Sequence, residues 1–223
     1  MRQFRTSLLL SLILACGPAL GDSLQFRVLS ESGQPVHSAV LTAGDPEDKL
    51  VMSEAEMDQI DREFSPYVIA IQEGQKVAFP NKDSVRHHVY SFSPAKQFEM
   101  RLYSGRPEAP LAFEKSGAVV LGCNIHDNMV GYIYVTRRPY RSVTNSIGEA
   151  RLTATTDIQE IVLWHPNLSL DSQAELTLSL KDLRTVTEDG LTYYLVNLDI
   201  PTPPENPQEI ASPSDRFSRF KIE

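Results

Sequence analysis

The chain has 223 residues, of which 41% are hydrophobic and 22% charged, enough apolar content for a buried core and too much for wholesale disorder. It carries 21 lysines and arginines against 29 aspartates and glutamates, a formal net charge of −8. That balance argues against a nucleic-acid binder and against an anionic membrane surface as a partner.

Residues 1–21 read as an export signal. Arg2 and Arg5 precede an apolar run over 8–15 that is far too short to span a bilayer, and Ala19-Leu20-Gly21 offers small residues where a signal peptidase cuts. Cleavage is expected after Gly21, which implies a periplasmic protein; a lipoprotein signal ending at Cys16 is the less favoured reading because Leu14 fits it poorly. No other stretch is long and apolar enough for a membrane helix. Export removes two arginines and no acid, leaving 19 basic against 29 acidic side chains, a net charge of −10. It also leaves Cys123 as the one cysteine, so an intramolecular disulfide is out of reach.

Fifteen prolines and eleven glycines favour short elements joined by turns. Residues 24–43 read as a β-hairpin turning at Ser32-Gly33-Gln34-Pro35. Residues 44–63 are charged and aperiodic, a linker with room for one helical turn. Over 64–137, short strands follow one another: 68–71, 77–79, 86–92, an alternating run in which Phe98, Met100 and Leu102 share a face, then 118–123 and 132–135. A second β region spans 140–200, with a turn at Asn145-Ser146-Ile147-Gly148 and Trp164 as a core or interface residue. The tail 201–223 is rich in proline and serine and is expected to be flexible. A lone hairpin is too small to be stable, so 22–58 is expected to join 139–200 in one β-sandwich, with 59–138 inserted as another.

The chemistry concentrates in Gly122-Cys123-Asn124-Ile125-His126-Asp127-Asn128-Met129, a short inter-strand loop with Cys, His and Met three residues apart. Upstream, Asn81-Lys82-Asp83-Ser84-Val85-Arg86-His87-His88-Val89 enters another strand. A thiolate, two imidazoles and a weak axial thioether are the donor set of a blue-copper electron-transfer centre. Zinc is the chemical rival, but methionine is a poor zinc ligand. A Cys123–His126 nucleophile pair lacks an orienting third group.

On these residues, together with Phe79-Pro80-Asn81, the 64–137 block resembles the cupredoxins, the plastocyanin and amicyanin group of type 1 copper proteins. The wider chain is similar to proteins labelled methylamine-utilisation proteins. Gly33, Pro35, Gly148, Leu152 and Leu163 give 22–58 and 139–200 a loose likeness to transthyretin-like or carboxypeptidase-regulatory sandwiches. The resemblance implies an all-β chain with a Greek-key cupredoxin sandwich, and one mononuclear copper held by His87, Cys123, His126 and Met129. His87 is preferred to His88 because His88 stands where the family has asparagine, and because alternation puts His87 and Val89 on one face. His88, Asn81 and Asn124 are expected to surround the ligands.

The function expected is single-electron transfer without catalysis, with a cationic cytochrome or oxidoreductase as redox partner, steered by the acidic surface. The alternatives are a copper carrier or store that supplies an oxidase, and a structural module with a vestigial site.

Overall fold

The computed structural model describes residues 22–200 other than 49, 51, 108 and 156, so the signal at 1–21 and the tail at 201–223 lie outside the described residues. The chain opens with β1 (Asp22–Ser30) and β2 (Val40–Ala43). It continues through β3 (Ala55–Glu56), β4 (Asp58–Ile60), β5 (Glu63–Ser65), β6 (Val68–Gln72), β7 (Lys76–Ala78), β8 (His87–Ser93) and β9 (Lys96–Tyr103). Next come β10 (Leu111–Ala112), β11 (Gly117–Cys123) and β12 (Val130–Thr136). The last strands are β13 (Tyr140–Val143), β14 (Glu149–Ala154), β15 (Glu160–Trp164), β16 (Glu175–Ser179), β17 (Arg184–Glu188) and β18 (Leu191–Leu198), with one turn of 3-10 helix at Leu180–Asp182. The described chain is all-β.

The strands fall into two groups. A five-stranded sheet in the order β6-β12-β11-β8-β9 faces a smaller sheet, β10-β7-β3, and the short β4–β5 hairpin. Between them Phe64, Ile71, Val77, Phe79, Val89 and Ile133 pack into one core that also holds Cys123 and Met129. The second group pairs β14-β1-β18-β17 with β13-β2-β15-β16 around Phe26, Leu41, Leu152, Leu163 and Val196.

β12 is buried along nearly its whole length because both of its faces are covered. Ile133 and Val135 point into the first core, while Tyr132 and Tyr134 turn outward and meet Trp164 of β15. Tyr134 stacks on the indole at 5.1 Å, Tyr132 tilts against it at 5.9 Å, and the Trp164 Nε1–H donates to the Ser172 carbonyl at 2.7 Å. Alternation on a single strand thus feeds two cores.

Three sequence expectations are corrected. The 24–43 segment is not a hairpin, since β1 and β2 belong to different sheets. The turn at Gly33 does fold back, with Val36 N–H bonded to Val28 O at 2.9 Å, but Ser38 then takes a φ of 62° and the chain crosses to the other layer. The 44–63 segment contains no helical turn among its described residues; it holds β3, β4 and half of the β4–β5 hairpin. On β9, Leu102 does not share the inward face of Phe98 and Met100. The β8–β9 pairing shifts register between His87 and Val89, so Tyr103 rather than Leu102 lies opposite His87, and Leu102 is 45% exposed.

His165, at the end of β15, is 2% exposed and its pKa falls from 6.5 to about 3, first through burial and then through repulsion from His37. The unfolded chain therefore binds a proton below pH 6.5 that the folded chain refuses, and stability is lost as pH falls from there toward 3. Urea titrations from pH 7 to pH 4 are expected to show a decline of up to about 1.4 kcal/mol per pH unit from this group, removed in His165→Gln. A pH slope identical in the variant would refute the assignment.

Candidate metal centre

The site lies where β8 begins and β11 ends. Cys123 closes β11 and pairs in register with Val89 of β8, two residues along the strand from His87 and on the same face. Gly122 precedes it with the Tyr90 ring overhead: a Cβ there would lie 2.7 Å from Tyr90 Cζ, so any larger residue would have to push that ring aside. The 124–129 loop is tight. Asn124 N–H donates to His88 O at 3.3 Å, and Met129 N–H to His126 O at 2.9 Å.

Cys123 Sγ is 3.6 Å from His87 Nδ1 and 3.8 Å from His126 Nδ1. The three donor atoms lie within 4.8 Å of one another. A metal bonded to a thiolate at about 2.3 Å and to imidazoles at about 2.0 Å leaves sulfur-to-nitrogen edges of about 3.5 Å in tetrahedral geometry and about 3.7 Å in trigonal geometry. The sulfur-to-nitrogen distances are already those of a metal site. The thiol is free, and Cys123 is 3% exposed. His87 is fully buried, while His126 is partly open to solvent. Burial, then repulsion from His87 and Arg62, lowers the His126 pKa, keeping the ring neutral and able to ligate.

Met129 is 1% exposed and shares the apolar cluster of Cys123. His88 points the other way, its Nε2 3.0 Å from Glu99 Oε1 and its ring 6.0 Å from that of Tyr90. Asn124 is exposed and meets the site through its backbone. Asn81 is 4% exposed, and its side chain organises the loop leading into β8. Its Oδ1 accepts from Asp83 N–H at 2.9 Å, and its Nδ2 donates to Val85 O at 3.0 Å and Tyr103 O at 2.9 Å.

Asp83 is the residue sequence reasoning passed over. Its Oδ2 lies 2.6 Å from His87 Nε2, and the carboxylate also accepts from Asp61 N–H at 2.6 Å and Arg62 N–H at 2.9 Å. Those amides belong to the tight β4–β5 turn, where Asp61 and Arg62 have φ of 54° and 65°. Burial opposes ionisation of Asp83, but the bonds from Arg62, His87 and Asp61 outweigh it and hold the carboxyl below its usual range. The sequence signal was an acid four residues before the buried histidine, following an asparagine able to turn the chain.

No family model matches the sequence, and no curated protein matches it. Solved structures do. A copper-containing nitrite reductase from Thermus scotoductus matches with 23% identity and a TM-score of 0.35, over 42% of this chain and 25% of the reductase. A purple cupredoxin from Nitrosopumilus maritimus matches with 23% identity and a TM-score of 0.33, over 37% of this chain and 99% of its own. A pseudoazurin from Sinorhizobium matches with 24% identity and a TM-score of 0.31, over 40% of this chain and 76% of its own. This chain thus spans only a quarter of the reductase it matches. The expectation of electron transfer without catalysis is corrected here: a chain named as an enzyme, the nitrite reductase, stands among the matches.

Proposed function

We propose that His87, Cys123 and His126 hold one copper ion, with Met129 as a weak fourth ligand, in a type 1 centre that passes single electrons. The observation that carries this reading is the convergence of one thiol sulfur and two imidazole nitrogens at 3.6 and 3.8 Å. Bound there, copper would supply a one-electron Cu(I)/Cu(II) couple, and the soft-sulfur and imidazole set suits both states. The protein's part is to hold the donors still. β8 and β11 fix His87 and Cys123 through the sheet, the apolar cluster around Cys123 keeps water from the sulfur, and the half-exposed His126 ring offers the short route to a partner.

The same reading makes 59–138 a cupredoxin-type sandwich inserted between 22–58 and 139–200. The pairing of β3 with β7 supports a boundary a few residues earlier, near 55. Residues 1–21 would send the chain to the periplasm. Its partner there would be a cationic redox protein, drawn by the net negative charge in a way that weakens with salt. The likeness to methylamine-utilisation proteins carries no claim about methylamine.

The test is to load the purified chain with one equivalent of Cu(II). A strong visible thiolate-to-copper band and a reversible couple are expected, with His88→Ala leaving the band in place. Met129→Leu should keep the colour and raise the potential, because losing the axial sulfur disfavours Cu(II). A chain that stays colourless with copper, or takes only zinc, refutes the reading. Rapid surrender of copper to a weak chelator without a reversible couple would point to delivery instead.

A further inference from the structure

Every polar contact of the Asp83 carboxylate runs toward the metal centre or the turn beside it. Its side chain is 11% exposed and that of His87 fully buried, so their 2.6 Å contact is largely shielded from water. An ionised carboxylate can only accept hydrogen bonds, which places the ring hydrogen of His87 on Nε2 and leaves Nδ1 bare, facing Cys123 Sγ. Two further acceptor positions of the carboxylate are taken by Asp61 and Arg62, backbone donors that cannot rotate away. A full negative charge is thus locked behind one metal-ligating imidazole.

We infer that Asp83 is a positioning residue of the centre, selecting the His87 tautomer that ligates through Nδ1 and holding the reduction potential down by donating charge through that ring. The inference rests on the copper reading above and deepens it. A carboxylate behind a ligating histidine makes the ring more basic, and a more basic ligand favours the more highly charged ion, here Cu(II) over Cu(I). A role confined to closing the β4–β5 turn would cost stability on mutation but leave the potential alone.

The test has two arms. In the first, the copper-loaded full chain is compared with Asp83→Asn, with Asp83→Glu, and with Asp127→Asn, which removes an exposed acid that touches neither ring. In Asp83→Asn the preference for Cu(II) over Cu(I) should fall about tenfold, a rise in potential of about 59 mV. Asp83→Glu should lie between it and the parent, and Asp127→Asn should move the potential by less than a third as much. An unchanged potential in Asp83→Asn, or equal shifts in the two asparagine variants, overturns the inference. In the second arm, nitrogen-15 correlation spectra of the metal-free parent should show His87 protonated at Nε2; protonation at Nδ1 overturns the inference without any variant. If the parent takes up no copper, the reading of the centre falls, and the spectra of the metal-free chain still decide whether Asp83 holds the ring.

Discussion

Cys123→Ser is expected to abolish the visible copper band outright and to cut copper affinity by more than the roughly 100-fold that losing an outer partner costs. Cys123 Sγ is the atom to which both Nδ1 atoms point, and a serine hydroxyl is hard and un-ionised where the thiolate is soft and charged. The metal-free fold should survive, because the replacement is nearly isosteric and the two imidazoles can bond the new hydroxyl. His126→Ala should behave differently. The lost ring is half open to solvent, so added imidazole should enter the gap and restore part of the colour. Absorption titrations read both effects. A serine variant with the parent's spectrum would remove the thiolate from the centre.

Trp164→Ala is expected to cost about 3–5 kcal/mol of stability, the range for removing a large buried aromatic. The indole is fully buried between the two groups of strands, packed against Tyr132 and Tyr134 and bonded to the Ser172 carbonyl. Its loss leaves a cavity and a buried acceptor without its donor. Trp164→Phe should recover most of the packing and lose the hydrogen bond, about 1–2 kcal/mol. Trp164 is the chain's one tryptophan, so its fluorescence reports this contact directly in urea titrations of the parent; the variants are followed by circular dichroism. A loss under 1 kcal/mol in the alanine variant would mean that the contact does not join the two layers. The copper band should be unaffected, since none of the proposed ligands His87, Cys123, His126 and Met129 belongs to this cluster.

The candidate site was legible where its residues lie close in sequence. Cys123, His126 and Met129 sit in one short loop, and strand alternation separates buried His87 from His88 without any tertiary knowledge. Asp83 was not legible in the same way. Its role depends on the β4–β5 turn, whose amides come from more than twenty residues upstream. That turn was itself hidden: β3, β4 and β5 are two or three residues long, too short to imprint a period on a charged segment. The 24–43 segment misled for another reason. Its second apolar run suits a returning strand, and only the left-handed backbone at Ser38 sends it to the opposite sheet. At Leu102 alternation was a sound rule until the β8–β9 register slipped, and nothing in the side chains marks that slip.

β1 lies between β14 and β18, with Gln25 opposite Arg151 on one side and Tyr193 on the other. The first strand of the described chain therefore waits for the last before its second edge is paired. The sheets of 55–136, by contrast, find all their partners within that stretch. Closing the longer loop costs more chain entropy and is slower. The sheets of 55–136 should thus assemble first and the second group of strands later, and until β18 arrives β1 presents a bare edge on which another copy of the chain could pair.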